Sequence, residues 1–361
     1  MNPIRIAVVG YGHLGKIHTR ILRTLPEFAV VAVADPSEAA RAQAAETCSL
    51  PTSADHREWI DQVDAVVLAS PTKFHHRVAQ DFLQVGKHVF VEKPLTASSR
   101  EAEELVDLAR RSRVALQVGH VERFNPAWTT LTAKIAKPRF IEARREGMFS
   151  FRSTDIGVVL DLMVHDLDLI ASLVGAPCVD VEACGTSLLG RHEDVAFAKL
   201  RFETGCTAIV HASRVATSAT RQIRVQTDEA FASANFQTRS VQITHIGDAL
   251  RNGEVDVERM SPAEKNALKE SLNGDLLRTE RIEAEPNDAI TAELSDFAGA
   301  IRQGRQPRVS GSDGLTAVRL AEQIIEAIHQ NADVDVRREP TIVRPPHWLR
   351  VNETVRRREA G

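Results

Sequence analysis

The segment Ile4-Arg5-Ile6-Ala7-Val8-Val9-Gly10-Tyr11-Gly12-His13-Leu14-Gly15 decides the fold. Its first half is a β-rich apolar run, and three glycines follow with G-x-G-x-x-G spacing. Behind them Leu14, Ile17, Ile21 and Leu25 recur at helical intervals, so a strand, a tight turn and an amphipathic helix are expected. Such a glycine triplet alone is a weak signal. Between a strand and a helix it is stronger, and Asp35 closes the next apolar run about 20 residues further on. Gly10 permits the tight turn, Gly12 lets a pyrophosphate approach the backbone, and Gly15 lets the helix pack near the strand. His13 and Leu14 open the helix, whose first N–H groups lack intrahelical partners and favour an anion. Asp35 is expected to accept hydrogen bonds from the ribose and to repel a 2′-phosphate, so NAD is expected in preference to NADP. The plainer alternative, a glycine turn with a capping Asp, explains less of the pattern.

Outward from this motif, further apolar β-rich runs occur at 30–34, 65–69, 88–91 and 114–118. Helical stretches at 14–25, 38–46 and 98–111 lie between them. The alternation predicts βαβ units, hence a parallel sheet in a doubly wound α/β domain of the Rossmann type. The strands are apolar without strict alternation, as strands covered on both faces should be. After residue 121 the rhythm changes. A strong helix is expected over 156–174. Strands 195–202 and 206–213 flank Glu203-Thr204-Gly205, and strands 223–227 and 231–236 flank Asp228-Glu229-Ala230. Two such hairpins predict a largely antiparallel sheet in an α+β domain. Ile290, Leu294, Phe297 and Ile301 then mark a late helix, and 314–330 another. Residues 248–285 read as a polar excursion, helical or looped. The expected organisation is a nucleotide domain over 1–121, an α+β substrate and oligomerisation domain over 122–335, and a basic tail over 336–361.

The chain has 361 residues, 43% hydrophobic and 26% charged, which suits about two globular domains. A net charge of −4 with 45 basic residues argues against a dedicated nucleic-acid binder. Cys48, Cys178, Cys184 and Cys206 form no C-x-x-C pair. So few cysteines fit a reducing compartment. Met1-Asn2-Pro3 runs directly into a strand without a signal-like segment, and no apolar stretch is long enough to span a bilayer. A cytoplasmic protein is expected.

Three further segments carry candidate chemistry. Val91-Glu92-Lys93-Pro94 ends a predicted strand, and ligands of open α/β sheets lie beyond the carboxyl ends of strands. Lys93 could bind a substrate hydroxyl and stabilise alkoxide character, although a surface lysine in a proline turn would look the same. Ser70-Pro71-Thr72-Lys73-Phe74-His75-His76 follows another strand, and Pro71 could pack beside a nicotinamide. The paired histidines lack further ligands nearby, so no metal is expected and a structural or capping role suits His76. In Leu160-Asp161-Leu162-Met163-Val164-His165-Asp166-Leu167-Asp168, Asp161 and His165 are four apart and share a helix face. Asp168 and Ser172 extend that polar stripe. An Asp beside a His suits a general acid–base pair. An internal salt bridge or a solvated face fits the spacing equally well.

In this order, Gly10-x-Gly12-x-x-Gly15, Glu92-Lys93-Pro94 and Asp161-x-x-x-His165 resemble the Gfo/Idh/MocA oxidoreductases over roughly residues 3–330. The resemblance implies a Rossmann domain followed by an open, mainly antiparallel sheet. It implies Lys93 and His165 as the catalytic pair, with Asp161 assisting. It places Ser70, Pro71, His75 and Glu92 with Gly10, Gly12, His13, Leu14, Gly15, Asp35 and Lys93 around NAD. Thr72 and Met163 depart from the family's frequent Asn and Gly, which affects the fine shape of the pocket. The stretches 118–126 and 159–166 are similar to a bacterial branch of UDP-N-acetylglucosamine 3-dehydrogenases. That branch makes a 3-keto sugar nucleotide, which a PLP aminotransferase converts to a 3-amino sugar for lipid A. The substrate site would then comprise Lys93, Arg123, Asp161 and His165. Arg123 would contact phosphate or serve as an interdomain salt bridge, and Arg144, Arg145 and Arg152 are further candidates by position for a UDP-sugar. Another sugar, an inositol or a non-catalytic NAD sensor are the competing readings. An open sheet face also implies a homo-oligomer, dimer or tetramer.

Overall fold

A computed structural model describes residues 2–150, 156–285 and 287–332. Arg152 and the basic tail lie outside the described residues.

The first six strands are β1 (Ile4–Val9), β2 (Phe28–Ala34), β3 (Thr52–Ser53), β4 (Ala65–Leu68), β5 (His88–Glu92) and β6 (Leu116–Gly119). They form one parallel sheet in the order β3-β2-β1-β4-β5-β6. The order reverses between β1 and β4, and a crevice opens at such a switch point. The crossovers include α1 (His13–Leu22), α2 (Glu38–Cys48), α3 (His75–Leu83) and α4 (Ser99–Ser112). Strand side chains alternate between two cores. Ile6, Val8, Val67 and Phe90 face α1 and α2, while Val9, Leu68, Val91 and Val118 face α3 and α4.

The second sheet has eight strands: β7 (Phe140–Glu146), β8 (Cys178–Thr186), β9 (Val195–Phe202), β10 (Thr207–Ser213), β11 (Thr220–Gln226), β12 (Ala230–Asn235), β13 (Ser240–Ile246) and β14 (Leu277–Glu283). Every pairing is antiparallel except β10 with β7. Both expected hairpins are present, as β9–β10 and β11–β12. Helices α5 (Pro126–Thr132) and α6 (Val164–Val174) cover one face. Between β13 and β14 lie α7 (Asp248–Arg251) and α8 (Pro262–Ser271). The polar excursion is therefore helical and then returns as an edge strand.

Two closing helices, α9 (Ala289–Gln303) and α10 (Gly311–Ala332), connect the two sheets. Leu294 and Phe297 of α9 enter the first core, where Phe297 stacks on Phe28 at 6.5 Å. Val318 of α10 packs on the first sheet, and Leu320 and Ile324 pack on the second. No helix among the described residues is long and apolar enough to cross a membrane.

Candidate active site

The glycine turn is built as its residues require. Gly10 has φ +93°, and a Cβ there would lie 2.7 Å from the Ala69 backbone. A Cβ at Gly15 would fall 1.9 Å from the Gly10 carbonyl oxygen, so α1 can close on β1 only with glycine here. A Cβ at Gly12 meets nothing within 4 Å. The helix N-cap at Gly12 has no side-chain hydrogen bond, and His13 and Leu14 are exposed in the first turn. Open space above uncapped N–H groups fits a pyrophosphate. At the end of β2, Asp35 accepts from the Tyr11 N–H (2.7 Å) and the Ser37 N–H (2.8 Å), which fixes its carboxylate beside the glycine turn. At the end of β4, Ser70 Oγ is buried without a partner among the described residues. These features fit a dinucleotide lying across the carboxyl ends of the first sheet.

Two residues expected around the cofactor have their polar atoms engaged behind this surface. His75 is 1% exposed. One ring nitrogen lies 2.9 Å from the Pro94 carbonyl and the other 2.8 Å from the Ser70 carbonyl. It therefore pins the loop after β4 to the loop after β5. A neutral imidazole donates only one of these bonds, and burial holds its pKa below the ordinary value. Glu92 is buried and lies 2.6 Å from His18 of α1. It holds the first helix to the end of β5, next to Lys93.

Lys93 reaches the second domain. Its Nζ donates to the Asp161 carbonyl (2.6 Å) and lies 3.4 Å from the Asp161 carboxylate. The backbone there is not the regular α-helix expected from the spacing. Val159–Met163 winds as one π-helical turn before α6 begins, a device often found at functional sites. Glu193 secures this turn, since its carboxylate accepts from the Val159 N–H and its carbonyl from the Val158 N–H. Gly157 leaves room for that carboxylate. Neither residue had a sequence signal.

His165 stands one turn beyond Asp161, and its Nδ1 is buried without a partner among the described residues. Its pKa lies well below the ordinary imidazole value, chiefly through burial and then through Lys93. His120 packs edge-on to it, with ring centroids 6.4 Å apart. Burial, then Lys93 and Arg123, push the His120 pKa down to about 3. Both rings are thus neutral near pH 7. His120 carries no chemical signal of its own in the sequence.

The arginines separate. Arg123 is buried, 3.9 Å from Asp168 and 3.6 Å from Asp313, and it donates to the Arg308 carbonyl. This geometry is that of an ion pair between elements. Arg145 binds Asp166 through two nitrogens and Glu122 through a third, all buried. Arg144 pairs with Glu146 on the opposite face of the sheet. Asp168 and Ser172 line a separate cavity of about 440 Å³ against α10, so the polar stripe continues away from Lys93. Burial pushes the Asp168 carboxyl up to about 7. His76 lies 2.9 Å from Glu104 and links α3 to α4.

A Rossmann-ordered sheet and an antiparallel α+β domain, meeting at a Lys–Asp–His cluster, define a nicotinamide-dependent dehydrogenase of CH–OH groups. Residues 4–120 match the oxidoreductase family's NAD-binding Rossmann fold, and residues 145–336 match its C-terminal alpha/beta domain. The chain belongs to the Gfo/Idh/MocA oxidoreductase family. It is 32% identical over 329 residues to the UDP-N-acetylglucosamine 3-dehydrogenase of Acidithiobacillus ferrooxidans, covering 91% of this chain and 98% of that protein. The solved structure of the A. ferrooxidans protein superposes with a TM-score of 0.80 at 31% identity, over 91% of this chain and 99% of that one. An inositol 2-dehydrogenase of Rhizobium meliloti is 26% identical over 92% of this chain and 99% of its own length.

Proposed function

We propose that this protein oxidises the C3 hydroxyl of UDP-N-acetylglucosamine to a ketone with NAD as the oxidant. The observation that carries the chemistry is the Lys93–Asp161 contact beside a neutral His165. Lys93 holds the sugar hydroxyl and stabilises its alkoxide character. His165 is unprotonated, so it accepts the hydroxyl proton and becomes imidazolium. Asp161 orients the lysine and offsets its charge. A bound nicotinamide supplies the hydride acceptor. Gly12 and the first turn of α1 would hold the pyrophosphate, and Asp35 the adenosine ribose. The Asp35 charge opposes a 2′-phosphate, which supports NAD over NADP. Ser70 and Pro71 would border the nicotinamide end, with His75 and Glu92 bracing the wall behind.

The similarity to the A. ferrooxidans enzyme supports the sugar-nucleotide substrate. On this reading the product is a 3-keto sugar nucleotide, taken up by a PLP aminotransferase on the way to lipid A. All four cysteines are free, which suits the cytoplasm. The domains divide near residue 121, with the outward face of the second sheet used for self-association. The test is NADH formation from NAD and UDP-N-acetylglucosamine, with the aminotransferase and glutamate present to draw off the ketone. NADH formed with this substrate and not with inositols or free sugars is the expected result. Turnover of an inositol alone would keep the mechanism and overturn the substrate.

A further inference from the structure

On the face of the second sheet that α6 covers lies a row of residues on neighbouring strands. Register pairs Ala212 of β10 with Arg145 of β7, and Arg145 with Arg221 of β11. The Phe236 N–H donates to the Arg221 carbonyl (3.0 Å) and extends the row. Strand alternation puts Arg221 on the same face as Ile223 and Val225, which are buried in the second core. Ala212, Arg145 and Phe236 are buried as well. Arg221 is exposed, so the core ends at this position and the row opens to solvent.

Its pairing also differs from that of the neighbouring arginines. Arg145 is committed to Asp166 and Glu122, Arg123 to Asp168 and Asp313, and Arg144 to Glu146. Among the described residues no carboxylate pairs with Arg221. Its charge still bears on His165 and Asp166, which places the guanidinium near the catalytic helix.

We propose that Arg221 is the anion-binding residue of the substrate site, holding phosphate oxygens of a sugar nucleotide while Lys93 and His165 act on its sugar. This rests on the sugar-nucleotide reading above. A guanidinium fork meets phosphate through two parallel hydrogen bonds, and an uncommitted one has no ion pair to break first. None of the arginines selected from sequence as UDP contacts is free in this way among the described residues.

The test is calorimetric titration of UDP into the full-length protein saturated with NAD, so that UDP cannot occupy the dinucleotide site. Arg221→Gln should weaken UDP binding by about tenfold or more, the loss expected of a charge-assisted contact. Arg221→Lys should recover part of it. NAD affinity and the thermal midpoint should stay at wild-type values, and KM for the UDP-sugar should rise more than kcat falls. Undiminished UDP binding in Arg221→Gln would overturn the assignment and leave the sugar-nucleotide reading standing. A wild-type protein that ignores UDP and UDP-sugars yet oxidises an inositol would overturn both.

Discussion

On the proposed mechanism, Lys93 holds the hydroxyl and His165 deprotonates it. Lys93→Met should lower kcat at least about a thousandfold, because the cation that stabilises the developing alkoxide is lost. NAD binding should persist, since the glycine turn and Asp35 are untouched, and fluorescence titration with NADH would check this. Retained turnover would remove Lys93 from the mechanism. His165 and His120 also set a pH dependence. Both pKa values are depressed in the fold, His120 to about 3, whereas in the unfolded chain each titrates near 6.5. Below that pH the unfolded state binds protons that the native state does not. Their contribution to stability is therefore complete above about pH 6.5 and is lost as the pH falls. His120→Phe should lose less stability than wild type between about pH 7 and pH 5, read from urea midpoints. Equal losses would show that His120 is not the group responsible. The acid limb of kcat/KM should likewise lie below about pH 6.5, where His165 still accepts a proton.

At the scale of elements, the β1–turn–α1 unit shows that its glycines serve different ends. Gly15→Ala forces a Cβ into the Gly10 carbonyl and should cost about 1–3 kcal/mol, with loss of NAD binding. Gly12→Ala meets open space and should leave the melting temperature nearly unchanged. It should still weaken NAD, because the methyl group takes room the pyrophosphate needs. A Gly12→Ala protein that binds NAD normally would mean that the pyrophosphate lies elsewhere. This unit was legible in sequence because the glycine spacing, the apolar run before it and the helical stripe after it together fix its geometry. The β9–β10 hairpin was legible for a similar reason, since Glu203-Thr204-Gly205 separates two apolar runs and Gly205 has φ +82°. Strands β8 and β14 were not. Leu277–Glu283 reads LRTERIE, an edge strand whose exposed face carries charge, and no apolar run announces it. The π turn at Val159–Met163 was also hidden, because Asp161 and His165 are four apart in either kind of helix. Arg221 could not be singled out without the β11 register, which shows that an exposed residue lies on an otherwise buried face.

At the scale of the molecule, α9 displayed an apolar stripe in sequence but not its partner. Its residues Leu294 and Phe297 cross back to the first sheet, a long-range contact that local pattern does not encode. The parallel pairing of β7 with β10 is non-local in the same way. The outward face of the second sheet is the remaining large feature. Helices α5, α6 and α10 cover one side, while Val179, Phe197, Ile209 and Phe231 stand exposed on the other. Cross-strand pairs Lys199–Glu182 and Arg224–Glu142 lie among them. Such a surface suits a second copy of the same chain, because a two-fold axis brings like patches together and lets apolar residues bury one another. Ile209→Glu combined with Phe231→Glu places like charges at that contact and should convert the protein to a monomer in light scattering at micromolar concentration. Both side chains point away from α6 and the glycine turn, so NAD binding should be unaffected. A wild-type protein that is already monomeric would remove the self-association reading, and an oligomer that survives both glutamates would move the contact to another face.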